Sequence, residues 1–169
     1  MAKYADLFRL DGRVVLVAGG TGGIGSELAR ATAAFGAKVA IAGRTQERCD
    51  EVAAQLSAEG YEVIGIPLDV REASSVADAV ATAEARLGPL DVLVNSAAVE
   101  RNQPAHKATG DAIDATLFVN LRQVFLLCTA FAKPLFASQG SIVNISSTAA
   151  TGAGGTQGAY AASKGGLDT

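Results

Sequence analysis

Short apolar runs alternate along the chain with longer stretches in which apolar residues recur at helical spacing. The apolar runs predict strands over residues 13–18, 38–42, 62–66, 91–95 and 141–146. The helical spacing predicts helices over residues 23–35, 46–58, 72–87 and 111–137, with another beginning near Ala159. The lead-in, residues 1–12, offers Leu7, Phe8 and Leu10 to the core.

The regular alternation of strands and helices predicts the fold class. The first strand has Val and Leu on both faces, which is typical of a parallel strand covered on both sides. Right-handed crossovers then give an α/β, doubly wound parallel sheet, which we expect to form a single domain over residues 1–169. Ligands of such sheets bind beyond the carboxyl ends of the strands. The glycine-rich turn after the first strand, Arg44, Asp69, Asn95 and Ser147 all fall near such ends.

The first strand runs directly into Gly19-Gly20-Thr21-Gly22-Gly23-Ile24-Gly25, and helix-forming residues follow. A strand, a tight turn and a helix N-terminus in this order make an anion site, because unpaired amides and the helix dipole point into the turn. Glycines there let a phosphate approach the backbone. The stretch predicts a nucleotide phosphate site, with a plain connecting turn as the alternative.

Composition narrows the function classes. The chain has 169 residues, is 49% hydrophobic and 18% charged, and carries a net charge of −3. These values predict a soluble globular protein and argue against nucleic acid or an anionic membrane as partner. No stretch resembles a signal peptide or a membrane span. Cys49 and Cys128 lack metal-ligand spacing, which indicates reduced thiols in a cytoplasmic protein and no metal site, and the single histidine, His106, supports no hydrolase triad.

Tyr160 and Lys164 are four residues apart at the start of the last predicted helix, so they share one helical face. A phenol is a poor base at neutral pH, and a neighbouring cation favours its phenolate form. The pair therefore indicates a general acid/base that exchanges a proton with an alcohol or carbonyl oxygen. The alternative is a packed tyrosine ring beside a solvated lysine.

Several motifs occur together in order and at consistent spacing. They are Gly19-x3-Gly23-Ile24-Gly25, Asp69-Val70, Asn95-Ser96-Ala97, Asn120, Ser146-Ser147 and Tyr160-x3-Lys164. With this set the chain resembles the short-chain dehydrogenase/reductase family, in its single-domain branch, from about Asp11 to the last residue. The resemblance implies a Rossmann fold, a nicotinamide cofactor and interconversion of a secondary alcohol and a ketone by hydride transfer.

The resemblance also implies roles for four catalytic residues. Tyr160 would be the acid/base, and Lys164 would bind the nicotinamide ribose and acidify Tyr160. Ser147 would hydrogen-bond the substrate oxygen, since the family usually places this serine thirteen residues before the tyrosine. Asn120 would hold a water in the proton relay; its alternative is a buried amide satisfied by the backbone.

The implied cofactor site is larger. It comprises Gly19, Thr21, Gly22, Gly23, Ile24, Gly25, Arg44, Asp69, Val70, Asn95 and Ala97, together with Tyr160 and Lys164. Asp69 would accept a hydrogen bond from the adenine amino group, with an ordinary turn aspartate as the alternative. The glycines also fit Gly19-x2-Gly22-x2-Gly25, which the larger sugar-nucleotide-modifying branch uses. The short gap between Ser147 and Tyr160 favours the single-domain branch.

Arg44 decides the expected cofactor. Dehydrogenases that use NAD usually place an acid at the end of the second strand, where it binds the ribose 2′-hydroxyl. This chain has Gly43 there and Arg44 next, and a guanidinium suits a 2′-phosphate. We therefore expect NADP(H) to be preferred over NAD(H), with a solvated surface arginine as the alternative.

The chain ends at Thr169, five residues after Lys164, although a fold of this kind expects a sixth strand. We therefore expect a C-terminally truncated fragment whose fifth strand is an exposed edge. The alternative to an enzyme is an inactive nucleotide-binding or dimerisation module. At full length, the family resemblance implies a homo-oligomer, either a dimer or a tetramer, that acts on a small alcohol or ketone of unknown identity.

Overall fold

The structure, a computed structural model, describes residues 4–169. The strands are β1 (Val14–Ala18), β2 (Lys38–Gly43), β3 (Val63–Pro67), β4 (Val92–Asn95) and β5 (Ser141–Asn144). The helices are α1 (Gly23–Ala34), α2 (Gln46–Ala58), α3 (Ala73–Leu87), α4 (Gly110–Leu117), α5 (Gln123–Ser138) and α6 (Gly158–Asp168). The predicted strands and helices are therefore present, with most boundaries shifted by one or two residues.

The strands form one sheet in the order β3-β2-β1-β4-β5, and every neighbouring pair is parallel. This confirms the predicted doubly wound α/β fold. The chain order reverses between β1 and β4, so a crevice opens beyond the carboxyl ends of these two strands. The glycine-rich turn leaves β1 at that point.

The central part of the sheet is buried on both faces. All of β1 is at most 2% exposed, which explains its uninterrupted apolar sequence. One core cluster lies between the sheet and helices α3 and α5, and includes Leu16, Leu93 and Phe131. The other lies against α1 and α2 and includes Val17.

The predicted helical region over residues 111–137 is present as an unbroken helical run, Gly110–Ser138, in which one turn is π-helical. One π-helical turn, Phe118–Arg122, separates α4 from α5, and the amide N–H of Gln123 donates to the carbonyl oxygen of Phe118. The turn is centred on Asn120, whose side chain is fully buried. Such turns occur often at functional sites, because they admit an extra residue and redirect the side chains around it.

Two smaller expectations were wrong. Leu7 and Phe8 lie on a 3₁₀ turn and are 70% and 69% exposed, whereas Leu10 packs against the core. The fifth strand ends at Asn144 rather than at residue 146. As expected for an edge strand, Ile142 and Val143 remain 39% and 45% exposed.

Although the sequence indicated no membrane span, the helical run Gly110–Ser138 is long and apolar enough to cross a membrane. Length and composition alone support that statement, and core helices satisfy the same criteria. Leu127 and Leu135 of this run are buried against the sheet, whereas Phe125 and Leu126 are exposed. A single run of this kind is weak evidence for membrane insertion.

Candidate functional site

The glycine-rich turn packs tightly against the segment that follows β4. Gly19 has φ +83°, a conformation that favours glycine, and a Cβ there would lie 2.6 Å from the backbone nitrogen of Ala97. A Cβ at Gly25 would overlap the carbonyl oxygen of Gly19. The turn is held to β2 because the N–H of Gly19 donates to the carbonyl oxygen of Ala42 at 2.8 Å. These two glycines are therefore required by packing within the protein.

Gly23, at the start of α1, faces open space. A Cβ at Gly23 would meet no atom within 4 Å, and Ile24 beside it is 65% exposed. The N-cap position of α1 is Gly22, which supplies no side-chain cap, and the first turn carries no acidic residue. The N-terminal amides of α1 are thus open to a ligand, and this arrangement suits a pyrophosphate.

Arg44 and Asp69 follow β2 and β3 at the same edge of the sheet. Arg44 is exposed and forms no ion pair or hydrogen bond with another residue in the range 4–169, although its charge helps to lower the pKa of Asp69. The acceptors of Asp69 are occupied by Arg71, whose Nε and Nη2 donate at 2.9 and 2.5 Å. These two hydrogen bonds from the Arg71 guanidinium are the main reason that the pKa of Asp69 is lowered to about 2. Sequence reasoning missed Arg71, which matches no motif, and Val70 between them is buried.

The side chain of Asn95 and the backbone of Ala97 contact different parts of the structure. The Nδ2 of Asn95 donates to the Oδ1 of Asn144 at 2.8 Å and approaches the Sγ of Cys128 at 3.7 Å. The Oδ1 of Asn95 is buried and has no partner among the described residues. The side chain of Asn95 therefore joins β4 to β5, and the backbone of Ala97 is the part of this motif that lies against the glycine-rich turn.

Tyr160 and Lys164 lie together on α6, as their spacing predicted. The Nζ of Lys164 is 5.9 Å from the centroid of the Tyr160 ring and donates to the carbonyl oxygen of Ile145 at 2.6 Å. Lys164 is only 4% exposed, and burial lowers its pKa. Tyr160 is half-buried. The pair thus places a desolvated ammonium beside a phenol that solvent can reach.

Asn120 fastens the loop after β4 to α6. Its Oδ1 accepts from the N–H of Val99, and its Nδ2 donates to the carbonyl oxygen of Val99, each at 2.8 Å. The same Nδ2 donates to the Oγ of Ser163 at 3.1 Å, and this hydroxyl donates to the carbonyl oxygen of Tyr160 at 2.6 Å. The amide is therefore satisfied mainly by backbone. Sequence reasoning missed Ser163; its position three residues after Tyr160, on the inner face of α6, was the available signal.

Ser147 begins the loop between β5 and α6. Its Oγ accepts from the N–H of Ala149 at 3.2 Å, which caps a 3₁₀ turn over Thr148–Ala150, and this turn packs on α6. Ser147 is half-buried, whereas the Oγ of Ser146 is buried without a partner among the described residues. The structure thus presents Ser147 as the more accessible serine of the pair.

Two polar loops meet just before the start of α6, the helix that carries Tyr160. The Nε2 of Gln157 donates to Glu100 at 2.8 Å, and the N–H of Gln103 donates to the carbonyl oxygen of Thr156, also at 2.8 Å. A cavity of about 290 Å³ lies beside this junction and is lined in part by Arg101, Gln103 and Thr156. The loop over residues 99–110 is therefore ordered against the segment that carries Tyr160.

Known dehydrogenases resemble this chain in sequence. A D-threitol dehydrogenase of Mycolicibacterium smegmatis is 42% identical over 161 residues, which are 95% of this chain and 62% of the relative. A gluconate 5-dehydrogenase of Gluconobacter oxydans is 35% identical over 146 residues, 86% of this chain and 57% of the relative. The chain thus spans about 60% of the length of these curated relatives.

Solved structures agree with this similarity. The crystal structure of a gluconate 5-dehydrogenase from Burkholderia cenocepacia, in complex with NADP and tartrate, superposes with a TM-score of 0.92 at 37% sequence identity. The match covers 98% of this chain and 65% of that structure. The family profile described as short chain dehydrogenase matches residues 13–169. The chain therefore belongs to the short chain dehydrogenase family.

Proposed function

We propose that this chain carries the cofactor site and the catalytic residues of an NADP(H)-dependent oxidoreductase that interconverts a secondary alcohol and a ketone. One observation carries the proposal: the buried ammonium of Lys164 lies 5.9 Å from the ring centroid of Tyr160. Keeping a cation out of water is costly, and a tyrosine that only packs its ring gives no reason for that cost. A phenol that exchanges protons benefits from the buried ammonium, because a neighbouring cation favours its phenolate form.

The residues of the glycine-rich turn support the cofactor. Gly23 and the amides of α1 leave room for a pyrophosphate, and Arg44 is available for a 2′-phosphate. The relative from Burkholderia cenocepacia was solved with NADP. When bound, this cofactor supplies or accepts the hydride.

Tyr160 and the side chains around it would carry out the proton transfer. In reduction, the Tyr160 hydroxyl donates its proton to the carbonyl oxygen of the substrate, and Lys164 stabilises the resulting phenolate. Ser147 holds the same oxygen by a hydrogen bond, and in oxidation the proton returns to Tyr160. Asn120 fixes the π-helical turn and the loop after β4, where a relay water would bind, because its amide bonds both backbone groups of Val99.

We further propose a small polyhydroxylated substrate. The two named relatives act on threitol and gluconate, which carry several hydroxyl groups. Around the junction before α6, this chain offers Glu100, Arg101 and Gln157, which can donate to or accept from such groups.

Replacing Tyr160 tests the mechanism. We expect Tyr160→Phe to reduce turnover of a polyol by at least about a hundredfold, because the proton donor is lost. NADPH should still bind with an unchanged Kd in a fluorescence titration. Tyr61→Phe, a partly buried tyrosine packed on the opposite core cluster, is the matched control. Retained turnover in Tyr160→Phe would exclude Tyr160 as the proton donor.

The proposal includes a cytoplasmic homo-oligomer. Phe125 and Leu126 are 66% and 42% exposed on α5, next to Phe118, over whose ring Arg122 stacks at 4.9 Å. An apolar face of this kind favours association of a second copy. Phe125→Glu should convert the oligomer to a monomer in light scattering, whereas Lys133→Glu, on the exposed side of the same helix, should not. An unchanged mass for Phe125→Glu would place the contact elsewhere.

A further inference from the structure

Three side chains bury a polar atom that has no hydrogen-bond partner in the part of the chain that the structure describes. The atoms are the Oδ1 of Asn95 at the end of β4, the Oγ of Ser146 just after β5, and the Nε2 of Gln123 at the start of α5. The side chains of Asn95 and Gln123 are almost fully buried. Leaving a buried donor or acceptor unpaired is costly, so each of these atoms needs an explanation.

The alternation of side chains along the strands places Asn95 and Ser146 on the face of the sheet that α5 covers. Asn95 follows Leu93 by two residues, and Leu93 packs in the core cluster against α3 and α5. The Nδ2 of Asn95 also approaches the Sγ of Cys128 on α5 at 3.7 Å. Ile145 packs against the opposite cluster, so Ser146, the next residue, turns back towards α5.

Gln123 faces the same side of the sheet from α5. It lies one helical turn before Leu127, which packs in the cluster between the sheet and α5. The helix runs antiparallel to β4, since the hydroxyl of Ser138 at its end donates to the carbonyl oxygen of Leu90, just before β4, at 2.7 Å. The first turn of α5 therefore lies over the carboxyl end of the sheet.

The side chains of Gln123 and Ser146 also lie at a similar height. Asn95 is level with Cys128 on α5 and with Asn144 on β5. Gln123 precedes Cys128 by five residues, which is about 7.5 Å along a helix. Ser146 follows Asn144 by two residues, which is about 6.6 Å along an extended chain. Both displacements run towards the carboxyl end of the sheet, so the three unpaired atoms converge between α5 and the ends of β4 and β5.

We infer that a bound water molecule joins these three atoms, and that Gln123 is a positioning residue for residues 145–147. The water accepts from the Nε2 of Gln123 and donates to the Oδ1 of Asn95 and to the Oγ of Ser146. One water molecule supplies the two donors and the acceptor that this set requires.

Residues 145–147 carry two of the contacts on which the proposed function depends, and the inference rests on that function. The carbonyl oxygen of Ile145 accepts from the Nζ of Lys164 at 2.6 Å, and Ser147 holds the substrate oxygen in the proposed mechanism. Lys164 reaches this segment from α6, whereas Gln123 reaches it from α5. Loss of the contact from α5 would displace the carbonyl that orients Lys164 and, with it, Ser147.

A double-mutant cycle tests the link without cofactor or substrate. Gln123→Met keeps the length of the side chain but removes its donor, and should lower the Tm by about 3 °C. Ser146→Ala should lower the Tm similarly, and the double variant should lose clearly less than the sum of the two losses. Leu127→Met, one turn along the same face of α5, is the matched control for placing a methionine there and should lose less than Gln123→Met.

Two results of this cycle would overturn the inference. A higher Tm for Gln123→Met would mean that its amide has no partner in the folded protein. Additive losses would mean that Gln123 and Ser146 act independently.

A crystal structure of the wild-type protein tests the water directly, even if a variant fails to fold. Electron density for one water should lie about 2.7–3.2 Å from each of the three atoms. A dry space there, or a Gln123 side chain turned to another partner, would overturn the inference.

Kinetics below the Tm of every variant test the positioning role. Gln123→Met and Ser146→Ala should each lower kcat for a polyol about tenfold while the Kd for NADPH stays unchanged, and the double variant should fall no further. Leu127→Met should keep the wild-type kcat. Unchanged kcat in both single variants would overturn the positioning role. A wild-type protein without NADPH binding or turnover, but with coupled Tm losses, would overturn the proposed function and not the bound water, so the two failures are distinguishable.

Discussion

The ammonium group of Lys164 donates a hydrogen bond to the backbone carbonyl oxygen of Ile145 at 2.6 Å, and this contact ties α6 to the end of β5. Lys164 is 4% exposed, and desolvation by burial is the main cause of its lowered pKa. One neutral carbonyl compensates little of the hydration that the ammonium has lost. The lysine is thus held beside Tyr160 at a cost in stability.

That cost predicts the effect of Lys164→Met. Because the pKa of Lys164 is lower in the folded protein than its usual value of 10.5, the penalty is fully present below the folded-state pKa and disappears as the pH rises through 10.5. We therefore expect Lys164→Met to be about 1 kcal/mol more stable than the wild type at pH 7, with the difference closing towards pH 11. Urea unfolding at pH 7 and at pH 11 measures this difference in the free energy of unfolding.

The exposed lysine of α5 provides the control. Lys133→Met should leave the free energy of unfolding within about 0.5 kcal/mol of the wild type. Lys164→Met should lose turnover while it gains stability. If Lys164→Met were less stable at pH 7, the hydrogen bond to Ile145 would outweigh the desolvation of the ammonium.

Two glycines of the same turn should respond in opposite ways to alanine. A Cβ at Gly25 would overlap the carbonyl oxygen of Gly19, whereas a Cβ at Gly23 would meet nothing within 4 Å. Gly25→Ala should therefore destabilise the fold by about 2 kcal/mol or more. Gly23→Ala should keep the wild-type Tm but weaken NADPH, because the methyl group would stand where the pyrophosphate approaches.

Thermal unfolding and NADPH titration of both variants distinguish these roles. A stable Gly25→Ala variant would mean that the turn rearranges easily. Unchanged NADPH binding by Gly23→Ala would place the pyrophosphate away from the start of α1.

Features encoded by neighbouring residues were predictable from the sequence. The apolar run at β1 and the glycines after it define a strand, a turn and a helix start, and all three are present. The spacing of Tyr160 and Lys164 places them on one face of α6 because helical periodicity is local. The parallel, doubly wound arrangement of the sheet followed from the alternation of strands and helices.

Features that depend on contacts between distant segments were not predictable. The π-helical turn around Asn120 follows from hydrogen bonds to Val99, 21 residues earlier. A Cβ at Gly43 would lie 2.9 Å from the Oγ1 of Thr21 and 3.2 Å from the Sγ of Cys49, and this crowding depends on where the two side chains meet in space. Arg71 matches no motif, and its partner Asp69 fits a motif without it. The sequence therefore does not indicate that the two residues pair. Periodicity carries no information about such contacts.

The bonds of Asn120 predict a stability effect. Asn120→Ala would leave the N–H and carbonyl oxygen of Val99 unpaired, and the hydroxyl of Ser163 would lose a donor. We expect a loss of about 2–4 kcal/mol in the free energy of unfolding, measured by urea titration. Ser163→Ala leaves the bonds to Val99 in place and should cost about 1 kcal/mol. Equal losses for the two variants would mean that the bonds to Val99 contribute little.

The paired hydrogen bonds from Arg71 to Asp69 predict how the free energy of unfolding changes as the pH falls into the acid range. Asp69 has a pKa of about 2 in the folded protein, below its usual value of 3.8, mainly because Arg71 donates to it. A carboxyl group with a lowered pKa stabilises the fold above pH 3.8, and this contribution is lost as the pH falls through about 2. Since the Arg71 side chain is 52% exposed, we expect the contribution to be about 1 kcal/mol or less.

Urea unfolding at pH 5 and pH 2.5 measures this contribution. Between these values the wild type should lose more stability than Asp69→Asn, which has no carboxylate to protonate. Arg71→Gln should reduce the difference nearly as much, because it removes the donor that lowers the pKa. Asp78→Asn, on the exposed side of α3, is the control and should follow the wild type. If Arg71→Gln kept the full pH dependence of the wild type, the lowered pKa of Asp69 would have to come from another cation, and Arg44 would be the next residue to replace.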